Sequence, residues 1–360
     1  MSPPLVAISI LNWNGWRDTI ECLESVRQLE YPNYLTAVVD NGSSNGSAEK
    51  IKEWAEQNLG PGHALADYSR TSALNGGEAL MENGLDRTPS AARLVLIRNE
   101  ENLGFTGGNN VAIDYALHRS VPAAYVFLLN NDASPKADCL TLLVSAGLET
   151  GAGIVGAVVL IGNGPGIEFA KSGPRLGLFF APIVKSYVPL PDAGEAIWES
   201  LFVNGAAMLI RKDVLEAIHS LGRGYLDERL YLYWEEIAFC NNAWKMGFKC
   251  LVVRDANVRH KGAQSSGGCV NPIYYYYAGR NRVLLVREFL SLRWRILFHL
   301  VHTPMRLASA LNNLRARRSR SAQAILSGLI DGYRGVTGKW KDHDQALKRL
   351  AAAKRSDLQH

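Results

Sequence analysis

The chain has no apolar run long enough to span a bilayer, which argues against a transmembrane protein. It also has no paired-cysteine motif. Its cysteines, Cys22, Cys139, Cys240, Cys250 and Cys269, are odd in number and scattered. That excludes a disulfide framework or zinc ribbon and points to reduced thiols in a cytoplasmic protein. Met1-Ser2-Pro3-Pro4 leads directly into an apolar strand, so no signal peptide is expected. Neither a Walker loop nor GxGxxG occurs, which removes support for nucleoside-triphosphate hydrolysis and for a dinucleotide fold. Acidic residues are scarce in one region. From Arg280 onward there are 17 Lys and Arg against 5 Asp and Glu, whereas the preceding residues carry 22 against 29. A mildly acidic body thus ends in a strongly basic tail.

What is present is an alternation of strand and helix patterns over the first 160 residues. Strands are expected at Val6–Leu11, Leu35–Val39, Leu94–Ile97 and Tyr125–Leu129, with helices at 17–28, 46–58 and 109–119. This order predicts an α/β fold, a Rossmann-like and mostly parallel sheet flanked by helices. Each apolar run stops on polar residues, and ligands bind at that edge of an open α/β sheet. Residues 60–92 lack periodicity and read as a surface insertion loop. Residues 162–198 read as irregular with short strands. A strand is expected over 202–210, helices over 212–221 and 234–246, a strand over 249–253, and a helix over 272–290. Residues 292–311 have the composition of a basic amphipathic helix. The expected division is a catalytic domain over 1–270, with a nucleotide-binding half at 1–135 and an acceptor-side half at 136–270, followed by a helical tail at 271–360.

Five constellations carry chemistry. Asp132, at the end of Leu129-Asn130-Asn131-Asp132, is placed to hold a divalent cation against a diphosphate; a helix-capping or turn Asp is the alternative. Asp40, in Val39-Asp40-Asn41-Gly42-Ser43, could accept a hydrogen bond from a base N–H, as in uracil or thymine, or else cap its own turn. The segment Asn102-Leu103-Gly104-Phe105-Thr106-Gly107-Gly108 precedes a helix and allows close approach of backbone to a ligand. Glu235 and Glu236 follow the aromatic run Tyr231–Trp234; one reading is a general base, the other favourable acids in a first helical turn. His260 follows a strand and lies beside a glycine-rich stretch that suits a lid. Its imidazole could complete a metal shell with Asp132.

In this order the motifs resemble glycosyltransferase family 2, in particular its rhamnosyltransferase-like branch. The resemblance covers roughly residues 4–290 and rests on Asn12-Trp13-Asn14-Gly15, the Asp40, Gly104–Asn110 and Asp132 segments, Gly205-Ala206-Ala207-Met208, His260-Lys261-Gly262 and Arg280-Asn281-Arg282. It implies a GT-A fold with an abutting acceptor-binding half, and an inverting transfer from a dTDP- or UDP-linked sugar, rhamnose being one candidate. It implies Mg²⁺ or Mn²⁺ on Asp132 and His260, and a base at Glu236 with Glu235 in reserve. The nucleotide-sugar contacts it implies are Asn12, Asn14, Asp40, Asn41, Ser43, Asn102, Gly104, Gly107, Gly108, Asn131, Gly205 and Ala206.

The chain departs from the family's Glu-Asp-x-Asp pattern, because Glu235-Glu236-Ile237-Ala238 stands there. A catalytically impaired nucleotide-sugar-binding protein is therefore one alternative, and a sugar-nucleotide pyrophosphorylase another. The expected acceptor is a glycan or lipid-linked precursor of a surface polysaccharide. The tail would hold the enzyme peripherally at the inner face of the plasma membrane, or simply pack on the catalytic domain. Nucleic acid is not an expected partner, since the tail has few stacking aromatics and no known module.

Overall fold

The computed structural model describes residues 2–162, 164, 166–176, 182–184, 195–262, 271–347 and 349. Cys269 and the glycine-rich stretch at 263–268 lie outside them. In chain order the elements are β1 (Val6–Asn12), α1 (Trp16–Val26), β2 (Tyr34–Asn41), α2 (Ser47–Asn58), β3 (Ala64–Ser69), α3 (Arg70–Leu74), α4 (Ala79–Arg87), β4 (Arg93–Asn99), α5 (Gly104–His118), β5 (Tyr125–Asn130), β6 (Ala133–Pro135), α6 (Cys139–Thr150) and β7 (Ile154–Ile161). Then come β8 (Ile167–Phe169), β9 (Ser172–Leu176), β10 (Pro182–Val184), β11 (Ile197–Glu199), β12 (Ala207–Arg211), α7 (Lys212–His219), α8 (Glu235–Lys245), β13 (Cys250–His260), α9 (Pro272–Phe289), α10 (Leu292–Arg315) and α11 (Ser319–Arg334).

The chain forms two compact units. The first holds residues 1–174, 183–227 and 236–262. Its main sheet runs β11-β13-β7-β12-β5-β1-β2-β4-β3. The strands from β5 to β3 are all parallel, whereas β12 runs antiparallel to both β5 and β7. The central strands are apolar on both faces because helices cover both sides; Val6, Ile8, Ile10, Val38, Leu96 and Phe127 are fully buried. Parallel register carries the strand ends to one edge: Asn12 lies opposite Asp40, Asn41 opposite Asn99, and Leu11 opposite Asn130. The expected nucleotide-binding and acceptor-side halves share this sheet, since β12 sits directly beside β5.

Three expectations change. Residues 60–92 are not an unstructured insertion. They form β3, which adds to the sheet edge in parallel with β4, followed by α3 and α4. The segment was unreadable because its core is ionic. Glu82 is buried and accepts from Arg119 Nε at 2.8 Å, Tyr68 Oη at 2.9 Å and Tyr115 Oη at 2.8 Å. The strand expected at 249–253 continues to His260 past an irregularity between Val253 and Asn257. The strand expected over 202–210 begins only at Ala207. Arg119 has no exposed side-chain surface and pairs also with Asp86, so removing Glu82 leaves a buried cation with one of its two counter-charges. Glu82→Ala is expected to cost about 3–5 kcal/mol by urea denaturation. An Arg119→Met/Glu82→Ala double variant should recover much of that loss.

The second unit holds 175–182, 228–235 and 263–360. Helices α9 and α11 pack closely. A Cβ at Gly328 would lie 2.4 Å from the Tyr276 carbonyl oxygen, and one at Gly332 would lie 2.9 Å from Val283 Cβ, so only glycine permits this separation. Tyr231, Ile273, Tyr276, Tyr277, Ala324 and Trp340 form its aromatic core. The tail expected to be helical over 271–360 thus includes α11, to which no separate bounds are given from the sequence.

Candidate active site

The first two strand ends form one hydrogen-bonded corner. Asn12 Nδ2 donates to Asp40 Oδ1 at 2.6 Å, and Ser43 donates to Asp40 through its hydroxyl (2.6 Å) and its backbone N–H (3.1 Å). Asn14, held at φ 55°, receives Ser44 N–H on its side chain at 2.9 Å and donates its own N–H to Ser43 Oγ at 2.8 Å. Asn12, Asn14, Asp40 and Ser43 are thus brought together. Asp40 Oδ1 accepts two of these bonds and Oδ2 one, so a carboxylate still has accepting capacity on Oδ2.

Asn41 organises the next loop. It donates to Asn102 Oδ1 (3.1 Å) and to the Gly104 carbonyl (3.0 Å), and it accepts from Leu103 N–H and Asn99 Nδ2. Gly42, at φ +70°, lies against Glu101, where a Cβ would come within 2.7 Å of backbone. Gly107 and Gly108 lie inside α5. A Cβ at Gly108 would sit 2.4 Å from Leu11 Cδ1, and one at Gly107 would sit 2.9 Å from Leu103 Cβ. At these two positions what approaches closely is the protein itself: Gly108 seats α5 on β1, and Gly107 lies against Leu103 at the start of α5.

The metal-type pair converges beyond β5. Asp132 follows β5, His260 ends β13, and β13 pairs with β6 so that His260 stands opposite Ala133. His260 Nε2 lies 3.1 Å from Asp132 Oδ1 and 3.2 Å from Asn130 Nδ2. Its Nδ1 lies 2.8 Å from Glu168 Oε2. Burial opposes protonation of His260, but the hydrogen bonds it donates to the Asp132 and Glu168 carboxylates outweigh it and push its pKa up to about 10. Both side chains are largely sheltered, at 9% and 11% exposure. Lys261 secures the arrangement. Its N–H donates to the Asp132 carbonyl, and its ammonium pairs with Asp18 and Glu21 on α1. Asn131 Nδ2 donates to Thr19 Oγ1 at 3.1 Å, and Thr19 donates to Asn12 Oδ1 at 3.0 Å.

Glu236, in the first turn of α8, borders the same edge. Asn130 N–H donates to the Ala206 carbonyl at 3.1 Å, which aligns Gly205 and Ala206 with the end of β5. A Cβ at Gly205 would lie 3.7 Å from Glu236 Cβ and 3.9 Å from Phe105 Cζ. Burial pushes the Glu236 carboxyl up to about 7. A carboxyl raised to that value suits a proton acceptor near neutral pH. Glu235 is buried and belongs to the second unit.

Within that second unit, the residues just before Glu236 are held in strained backbone. Tyr231, Tyr233 and Trp234 all have positive φ, 65°, 67° and 77°, a costly state for aromatic residues. Two neighbours on α9 hold their carbonyls. Asn281 Nδ2 donates to the carbonyls of Leu230, Leu232 and Tyr233 at 3.1, 2.9 and 2.8 Å. Arg280, fully buried, donates to Leu230 O at 2.7 Å. The Arg282 guanidinium lies 4.6 Å from the Trp234 ring centroid. Asn281→Ala removes all three of its hydrogen bonds to this segment, while Arg280 still reaches Leu230 O. The substitution is expected to cost about 1–3 kcal/mol and to open the Tyr231–Trp234 segment to limited proteolysis.

Sequence reasoning missed Glu168, Thr19 and Asn99, together with Asn130's contact to His260. Asn130 and Asn99 ended recognisable strands and could have been found. Glu168 lies in an irregular region and carried no signal. Among the described residues no group of three or more His, Cys, Asp or Glu side chains forms a metal cage. Asp132 and His260 could supply two ligands once the imidazole gives up its Nε2 proton to make way for the cation, with Glu168 fixing the ring through its other nitrogen, as outer-shell carboxylates do. This partial donor set suits a cation that keeps positions for water and phosphate oxygens.

No protein-family model matches the chain. It is 31% identical over 143 residues to the low-salt glycan biosynthesis hexosyltransferase Agl10 of Haloferax volcanii, a match covering 39% of this chain and 43% of that relative. The chain thus matches less than half the length of that curated relative. Among solved structures it is similar to the mannosyltransferase PcManGT from Pyrobaculum calidifontis in complex with GDP-Man and Mn²⁺. That likeness has a TM-score of 0.51 at 15% identity, over 99% of this chain and 81% of that one. It is similar also to GalNAc-T7 with UDP, GalNAc and Mn²⁺, with a TM-score of 0.55 at 14% identity, over 99% of this chain and 58% of that one. At these identities the likeness is one of fold, and the chain has the GT-A fold of those glycosyltransferases.

Proposed function

We propose that the protein is an inverting glycosyltransferase of family 2 that moves a sugar from a nucleoside diphosphate to a hydroxyl of a glycan or lipid-linked glycan. The observation that carries this reading is the placement of Asp132 with His260, and of Glu236 with Gly205, along one sheet edge. The preorganised corner at Asn12, Asp40 and Ser43 receives the base, and Asp40 Oδ2 accepts from its ring N–H; this polarity favours a uridine or thymidine diphosphate. Asp132 and His260 hold Mg²⁺ or Mn²⁺ at the diphosphate. When bound, the cation neutralises charge that develops on the departing diphosphate.

Glu236 accepts the proton of the acceptor hydroxyl. The acceptor oxygen then bonds to the anomeric carbon from the face opposite the diphosphate. The bond from that carbon to the phosphate oxygen breaks, its electron pair leaves with the nucleoside diphosphate, and the configuration inverts. Glu236 reaches one methylene further than the Asp usual at this position. The small Gly205 beside it leaves room for that reach. Rhamnose from a dTDP donor is the candidate that the sequence resemblance favours.

A thermal-shift screen of nucleotide sugars with and without Mn²⁺ tests the reading. The donor should raise the melting temperature by mass action, more strongly with the cation, and turnover should release nucleoside diphosphate. Release of pyrophosphate would instead support a pyrophosphorylase. Stabilisation by a nucleotide sugar without transfer to any acceptor would favour a binding protein.

A further inference from the structure

Helix α10 buries Phe298, His302, Ala310 and Asn313, with Arg295, His299 and Arg306 half-buried, and its exposed face carries leucines. His302 is buried, and neither ring nitrogen makes a hydrogen bond to a described residue. Arg306 donates to the Tyr275 carbonyl at 2.6 Å, and His299 Nδ1 lies 3.0 Å from Tyr333 Oη. On the other side Leu292, Ile296, Leu300, Leu307, Leu311 and Leu314 recur at helical spacing, from 47% to 67% exposed. Trp294 and Met305 flank them, also exposed. The helix has 24 residues, about 36 Å at the usual rise. An exposed apolar stripe of that length is not a feature of an ordinary soluble surface.

Charge identifies what covers it. Between Glu288 and Asp331 the chain has seven arginines and no acidic residue. Arg293 lies near one end of the stripe, and Arg315, Arg317, Arg318 and Arg320 lie at the other, all exposed. Two copies meeting on this face would set like charge against like charge. A surface of anionic headgroups over acyl chains satisfies both the arginines and the leucines. Among the described residues no helix is long and apolar enough to cross a membrane. We infer that α10 lies flat in the interface of an anionic phospholipid bilayer, with its leucine stripe inserted between headgroups and its terminal arginines on their phosphates. This docking is independent of the transfer chemistry.

Vesicle flotation of the full chain tests it, using phosphatidylcholine with and without a third of phosphatidylglycerol. The protein should float with the anionic vesicles at low salt and far less at high salt. Leu300→Glu/Leu307→Glu, at exposed positions that should not affect folding, should lower the affinity at least tenfold with an unchanged melting temperature. Each of Arg315→Gln and Arg318→Gln should lower it about fivefold. No flotation of the wild type with anionic vesicles at low salt overturns the inference. So does flotation insensitive to the leucine substitutions, since a purely electrostatic polyanion contact would behave that way. A dimer in solution that Leu300→Glu/Leu307→Glu dissociates, with no vesicle binding, would assign the stripe to a second copy and also overturn it.

Discussion

Glu236→Gln is expected to lower the transfer rate by roughly 10²–10⁴-fold, the usual contribution of a general base, with donor binding nearly unchanged. Glutamine keeps the size and removes the proton-accepting oxygen. The wild-type pH profile adds a second signature. Burial raises this carboxyl to about 7, and only its ionised form can take the acceptor proton. kcat/KM should therefore fall about tenfold per pH unit below that value and level off above it. Stability runs the other way. A carboxyl with a raised folded pKa favours the folded state below its unfolded value and loses that advantage as pH rises through about 7. Relative to Glu236→Gln, the wild type should lose thermal stability between about pH 4.5 and 7. A Glu236→Gln enzyme with a wild-type rate and the same acid limb would move the base elsewhere, with Glu235 the next residue to test.

Asp132→Ala is the second large effect. It removes one of two proposed cation ligands and leaves His260 beside Asn130 and Glu168. The expected result is loss of transfer together with loss of the extra melting-temperature increment that Mn²⁺ gives in the presence of nucleoside diphosphate. The fold should survive, because Asp132 lies past the end of β5 and takes no part in the buried apolar cluster. His260→Ala should show the same pattern more weakly, since it leaves the carboxylate in place.

Much of this site was legible because buried parallel strands announce their own ends. Val6–Asn12, Tyr34–Asn41 and Tyr125–Asn130 are apolar runs, broken inside only by Ser9 and Thr36, that stop on Asn or Asp, and parallel register then gathers those residues at one edge. The edge strand β3 was not legible, because Ala-Leu-Ala-Asp-Tyr-Ser is only half-buried and its neighbours are held by Glu82 and Arg119. Strand β13 was cut short in the reading by Arg254 and Asp255, which pair with each other at an irregularity; the strand resumes and delivers His260. The glycines at 107 and 108 read as room for a ligand, whereas the groups that lie against them are Leu103 and Leu11. Helix α10 was recognisable as amphipathic and basic. Which face turns inward depends on Tyr275 and Tyr333, which lie in other helices.

The most direct measurement is the uptake of Mn²⁺, followed by loss of its free paramagnetic resonance signal as nucleoside diphosphate is added. The wild type should bind the ion tightly only when the nucleotide is present, and Asp132→Ala should leave it free in solution at the same concentrations. Equal uptake by the two proteins would mean that the nucleotide and its cation sit somewhere other than the carboxyl end of β5.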